Sequence, residues 1–258
     1  MIYFHVNFGV LMLVELILVG IFVGTMSGFF GIGGGMILTP ILLVLGFDIK
    51  SAIGISIMQM VFSSLFGSYL NYKKGLLLLG EGLFIGSGGF IGGYIGGYVT
   101  GYVSDGVLQG LFFLLLFFAL FRLVFSENYD DTCQTKSFPK VILFLLGLFT
   151  GIFAMTLGIG GSIILTPLLV GMLCYPIKKA VSVGLFFVVF SSIAGLISRL
   201  STGTIDFENG LVITVSSLLG VVVGIWLKDV VTSRNHKLAL MALYLFAILM
   251  LVKKIWFT

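Results

Sequence analysis

Apolar residues gather in long blocks, near 9–30, 36–45, 52–71, 76–101, 105–125, 141–157, 163–174, 180–198, 207–228 and 237–256. The blocks follow one another with almost no polar face, a pattern that needs lipid as its solvent. A helix rises about 1.5 Å per residue and a hydrocarbon core is about 30 Å thick, so most blocks predict membrane-crossing helices. Blocks 36–45 and 163–174 are too short for a full crossing. The pattern predicts an all-α polytopic membrane protein. One polar stretch, SENYDDTCQTKSFPK from Ser126 to Lys140, interrupts it. That stretch is short, so 1–125 and 141–258 read as two halves of one membrane domain, joined by the linker 126–140.

The halves are copies. Pro40 matches Pro167, a shift of 127, and under it GIGGGMILTPIL (Gly31 to Leu42) lies over GIGGSIILTPLL (Gly158 to Leu169). One inserted residue later the shift is 128. Ala52 then meets Ala180, Phe62-Ser63-Ser64 meets Phe190-Ser191-Ser192, and Gly67, Gly75 and Gly82 meet Gly195, Gly203 and Gly210. Gly92 and Gly96 meet Gly220 and Gly224. A match sustained this far marks an internal repeat.

Loop charge orients the copies. If each Gly-interrupted segment, 9–45 and 141–174, returns to the side it left, each half crosses an odd number of times and the halves are inverted. Lys73, Lys74, Arg122, Lys136, Lys140, Lys178, Lys179, Lys228, Arg234 and Lys237 then share one side, ten against the four of Lys50, Arg199, Lys253 and Lys254. A single crossing by each segment would divide them eight against six. Cytoplasmic loops carry the excess of Lys and Arg, so the more biased division is preferred. It predicts two inverted-topology repeats, each a Gly-broken re-entrant hairpin followed by three transmembrane helices. The linker is then cytoplasmic and both termini lie outside, with Lys253 and Lys254 against the trend.

The glycine breaks carry the candidate chemistry. Freed backbone groups have no water to bond inside lipid, so irregular backbone survives there only where protein or a wet cavity covers it. The break at Gly31–Gly35 opens a half-length helix, leaving the N–H groups of Gly33, Gly34, Gly35 and Met36 at depth. A helix N-terminus carries roughly half a positive charge and converging donors, which suits an anion. Gly158, Gly160, Gly161 and Ser162 repeat the arrangement, and inversion would bring both ends to one cavity near the midplane, as in secondary transporters. Thr39, Thr166, Ser63, Ser64, Ser191 and Ser192 offer hydroxyls, and Gln59 offers an amide. Pro40 is expected in the first turn or so of its helix, where its missing N–H removes little. Glu15, inside the first block, is the candidate for proton coupling, against an interfacial position. Arg122 reads as a snorkelling helix-end residue, and Glu81, Arg199, Asp206 and Glu208 as loop or helix-end residues. The run GSGGFIGGYIGGYVTG, Gly86 to Gly101, has stacked GxxxG spacings and reads as a packing surface.

Composition narrows the classes. The 258 residues are 59% hydrophobic and 9% charged, against about 25% charged in soluble domains. The net charge of +4 comes from Lys and Arg at block ends without interleaved aromatics, which favours lipid headgroups and excludes nucleic acid as a partner. Cys133 and Cys174 lie far apart, and His5 and His236 are isolated, so no metal, disulfide or cofactor is expected. No HExxH, Ser/His/Asp set or carboxylate pair lies within the blocks, which argues against an enzyme. The N-terminus, MIYFHVNFGV, lacks a basic stretch and reads as part of an uncleaved first helix.

The pattern G-x-x-x-G-x-x-G-I-G-G-G-x-x-x-x-P from Gly24 to Pro40, its second copy from Gly151 to Pro167, and the FSS that follows each resemble the TauE/SafE family of sulfite-exporter-like permeases. The second copy departs from the first at Met155, in place of Gly28, and at Ser162, in place of Gly35. The resemblance implies a permease of a bacterial or archaeal cytoplasmic membrane that moves sulfur-containing anions such as sulfite, thiosulfate or sulfonates, often outward. A proton is the candidate coupling ion, and oligomeric state stays open. A passive anion channel, an importer and a non-transporting receptor are the competing readings.

Overall fold

The computed structural model describes residues 2–77, 79–124, 138–173, 175–202 and 205–257. The described residues form helices only: α1 Ile2–Phe30, α2 Gly35–Val44, α3 Ile49–Lys73, α4 Leu79–Thr100, α5 Asp105–Val124, α6 Lys140–Leu157, α7 Ser162–Leu173, α8 Ile177–Thr202, α9 Phe207–Val230 and α10 Ser233–Phe257. Five of them are long and apolar enough to cross a membrane by length and composition. The protein is an all-α, multi-pass membrane protein.

Local chemistry sets the ends of these elements. Gly31 at φ 67° stops α1, and Gly34 at φ 90° starts α2 from a left-handed N-cap. Gly158 at φ 65° stops α6 in the same way. Only glycine enters that region without a Cβ penalty, so the breaks are written into the sequence. Asp48 caps α3 by accepting from the Ser51 N–H at 2.9 Å, and Asp206 caps α9 by accepting from the Asn209 N–H at 3.2 Å. Both caps satisfy a donor that the first helical turn leaves unpaired.

Glycine also sets how the long helices meet. On α4, a Cβ on Gly88, Gly92 or Gly96 would lie 2.0–2.3 Å from the carbonyl oxygens of Phe144, Leu148 and Ile152 of α6. Gly86 and Gly93 face Phe190 and Ser191 of α8. The GxxxG run therefore packs two helices at once, backbone against backbone. The second half repeats the device, with Gly220 and Gly224 of α9 against the carbonyls of Ile21 and Thr25 of α1.

Each half thus packs on the other half's first long helix. Residue numbers rise together along α1 and α9, α4 and α6, and α4 and α8, so each of these pairs runs parallel. Met58 of α3 lies at Gly210 of α9 and Asn71 at Lys228, another parallel pair. In contrast, α3 and α8 run antiparallel: Gly67 meets Leu185, while Arg199 donates to the Lys50 carbonyl at 2.6 Å. Lys50 and Arg199 share one end of the bundle with Asp105, whose carboxylate lies 3.9 Å from Lys50 Nζ. Lys74, Lys178, Lys228 and Asp229 gather at the other.

Candidate functional site

The two broken tips meet in the middle of the bundle. Ser162 Oγ donates to the Gly31 carbonyl at 2.7 Å, from one tip to the other. A Cβ on Gly35 would stand 2.0 Å from the Gly158 carbonyl oxygen, and one on Gly160 would stand 2.3 Å from that of Ile32. The contacts obey the repeat: Gly31 lies against Val181, and its counterpart Gly158 lies against Ile53, the counterpart of Val181. Every residue from Gly31 to Pro40 and from Thr156 to Ile163 is buried. Among the described residues the half-helix ends touch at these points. The tips close directly on each other and on Met60, whose sulfur would touch a Cβ on Gly35 or Gly160.

The junction is short of hydrogen-bond partners. Among the described residues nothing accepts from the N–H of Gly33, Gly34, Gly35 or Met36, nor from that of Gly160, Gly161 or Ile163. The Ser162 N–H is the exception and donates to the Gly160 carbonyl at 2.7 Å. Gln59 is 0% exposed, and neither its amide oxygen nor its amide nitrogen has a partner among the described residues. It faces Gly34, where an added Cβ would lie 2.6 Å from Oε1. Ser27, one turn before the first tip, and Thr166 are likewise buried with unpartnered hydroxyls. An unpaired buried polar group costs about 1–3 kcal/mol in a protein and more in hydrocarbon.

The two tips differ chemically. Phe187 holds the position of Gln59 in the second half, and its ring lies against Gly161. Thr39 shares a hydrogen bond of 3.0 Å with Ser56. Its counterpart Thr166 has no such partner, because Gly184 stands where Ser56 stands in the first half. One side of the junction is therefore an amide and the other an aromatic ring.

The remaining candidates divide. Ser63 Oγ donates to the Gly33 carbonyl at 3.3 Å and belongs to the junction. Ser64, Ser191 and Ser192 are buried, but their hydroxyls donate to the carbonyls of Val61, Phe187 and Val189 within their own helices. Glu15 is exposed on the outer face of α1, well before the tip. Pro40 and Pro167 are not in the first turn. Each is the sixth residue of its helix, where the ring removes an i→i−4 bond and frees the carbonyls of Met36 and Ile163. Tyr244 of α10 donates its hydroxyl to the freed Ile163 carbonyl at 3.3 Å. Sequence patterns gave no sign of that link, since it joins residues 81 apart with no motif between them. Ser27 was legible only as a polar residue near the break. Among the described residues no group of three His, Cys, Asp or Glu could hold a metal ion.

Helices that cross the membrane around two touching, glycine-broken half-helices define a duplicated membrane permease. The family model described as Sulfite exporter TauE/SafE matches residues 16–251, and the chain belongs to that family. It is 27% identical over 201 residues to the probable membrane transporter protein MJ0441 of Methanocaldococcus jannaschii, covering 75% of this chain and 74% of that one. It is 26% identical over 214 residues to the probable membrane transporter protein YdhB of Bacillus subtilis, covering 81% of this chain and 87% of that one. No solved structure matches.

Proposed function

We propose that this permease is a secondary transporter of a small oxyanion or organosulfonate, bound at the junction of the two tips. One observation carries the reading: donors without partners among the described residues lie on both of the tips that touch where Ser162 of one meets Gly31 of the other. Backbone amides at Gly33–Met36, amides at Gly160 and Gly161, and the Gln59 amide supply the donors, and neither broken segment, 31–45 or 156–173, contains Asp or Glu. Such a cluster suits an anion, because each donor left dry costs free energy that an anion's oxygens would recover. Sulfite, thiosulfate and sulfoacetate are the expected substrates, and export is the expected direction; both follow from the family.

The arrangement is a closed one, so transport requires the tips to separate toward one side and then the other. Inverted repeats supply the symmetry for that exchange. The antiparallel course of α3 and α8, which the repeat equates, supports inversion. So does the parting of Lys50 and Arg199 from Lys74, Lys178 and Lys228. The Lys-rich end would face the cytoplasm with the linker 126–140, leaving both termini outside.

Proteoliposomes containing the full chain test this. Flux of sulfite, thiosulfate, sulfate, sulfoacetate and taurine is measured in both directions. Saturable flux of one anion, cut about tenfold in Gln59→Leu while the protein remains folded and inserted, is expected. Non-saturating flux far above carrier rates would replace the transporter with a passive channel, and binding without flux would replace it with a receptor.

A further inference from the structure

α9 ends in a buried lysine. Lys228 is 0% exposed, and its ammonium donates to Asn71 Oδ1 of α3 at 2.6 Å and to Ser182 Oγ of α8 at 3.4 Å. Both acceptors are neutral. The next residue, Asp229, is exposed and paired with Lys74, while Lys178 donates to the Asp229 carbonyl at 3.4 Å. Among the described residues no carboxylate lies within ion-pair distance of Lys228. Burying an ammonium without a counter-charge costs several kcal/mol, and neutral acceptors offset only part of it.

Polar side-chain atoms without partners lie on two elements beside this end of α9. Asn71 is 0% exposed, and its amide nitrogen has no partner among the described residues. His236, in the first turn of α10, is also 0% exposed with both ring nitrogens unpartnered. Its ring lies 4.7 Å from that of Phe29 and 5.5 Å from that of Phe30, the last two residues of α1 before the first tip. Gly224, one turn before Lys228 on α9, lies against the same end of α1, where an added Cβ would stand 2.7 Å from the Phe29 nitrogen. The cluster thus lies between the first tip and the Lys-rich end of the bundle.

The geometry points to a second anion station formed by Lys228, Asn71, Ser182 and His236, which holds the transported oxyanion between the tips and the Lys-rich face. An oxyanion there supplies a counter-charge at contact distance, closer than Asp229, and accepts from the Asn71 amide and the imidazole. This rests on the permease reading above. A purely structural tie between α3, α8 and α9 would need the two hydrogen bonds of Lys228 but would leave the Asn71 and His236 donors unexplained.

The test uses the full chain with Cys133→Ser and Cys174→Ser, carrying Ser182→Cys, in vesicles whose Lys-rich face is accessible. An impermeant maleimide is added with thiosulfate, sulfite or sulfate, or with gluconate at equal ionic strength. One of the first three is expected to slow labelling by about tenfold, the effect of filling nine sites in ten. That protection disappears in Lys228→Met. It also disappears in Asn71→Asp, which keeps the lysine in place but gives it an internal counter-ion, so the result does not depend on tolerating a lost lysine. A cysteine that is never labelled, labelling indifferent to all three anions, or protection unchanged in both variants overturns the station. Flux is measured on the same vesicles. Flux without protection removes the station and keeps the permease; protection without flux does the reverse.

Discussion

Ser162 Oγ lies 2.7 Å from the Gly31 carbonyl oxygen and donates to it across 131 residues of chain, the one side-chain hydrogen bond from tip to tip among the described residues. Its partner in the repeat is Gly35, which has no hydroxyl to return the bond. Ser162→Ala should therefore loosen the closed arrangement by about 1 kcal/mol, the net worth of a hydrogen bond. The expected result is a lower thermal midpoint with faster exchange of substrate across liposomes. An unchanged midpoint would mean that the bond contributes nothing to closure.

Gln59 separates a binding role from a packing one. Its amide is buried without partners, so replacing it with leucine removes a cost of about 1–3 kcal/mol from the resting fold. Gln59→Leu is expected to raise the thermal midpoint or leave it unchanged, and to cut flux by about tenfold, the loss of about 1.4 kcal/mol of anion binding. A variant that is destabilised with unchanged flux would assign Gln59 to packing.

The repeat-related threonines should respond in opposite ways. Thr39→Val strands the buried Ser56 hydroxyl and should cost about 1–3 kcal/mol. Thr166→Val removes a hydroxyl that already has no partner and should be neutral or stabilising. Thermal unfolding of both variants in the same detergent decides the matter, and equal losses would contradict the asymmetry.

Glycines on α4 should fail by a different route from those at the tips. Gly92→Ala puts a methyl 2.1 Å from the Leu148 carbonyl oxygen, and overpacking of this kind costs about 1–3 kcal/mol. Folded yield should fall while the flux per folded molecule is retained. Gly110→Ala, inside α5 with nothing within 4 Å, should stabilise by about 0.5–1 kcal/mol through helix propensity. Equal yields for the two would remove the packing role of α4.

Most of the fold was legible because lipid leaves few alternatives. Block 36–45 became α2 and block 163–174 became α7 within a residue or so, since left-handed glycines at Gly34 and Gly158 mark the breaks. The meeting of the tips was also foreseeable from the duplication of GIGGG as GIGGS. What could not be read was distance and partnership. Pro40, expected in the first turn or so, is the sixth residue of α2, because α2 begins right at Gly35. Lys228 looked like one more loop cation, since nothing in LKDV shows that Asn71 and Ser182 enclose it. Arg199, read as a loop or helix-end residue, does lie in the last turn of α8, and what the sequence did not show is that it is 0% exposed there. Glu15 shows the converse: a carboxylate inside an apolar block can still lie on the outer face of its helix.

The tip amides can be observed directly. Selective ¹⁵N-glycine labelling of the full chain in lipid nanodiscs gives each glycine its own amide resonance, to be titrated with the anion that shows flux. The amides of Gly33, Gly34, Gly35, Gly160 and Gly161 should shift together and saturate with one dissociation constant, while those of Gly88 and Gly92 stay still. Tip amides that do not move at saturating concentrations of a transported anion would contradict the account.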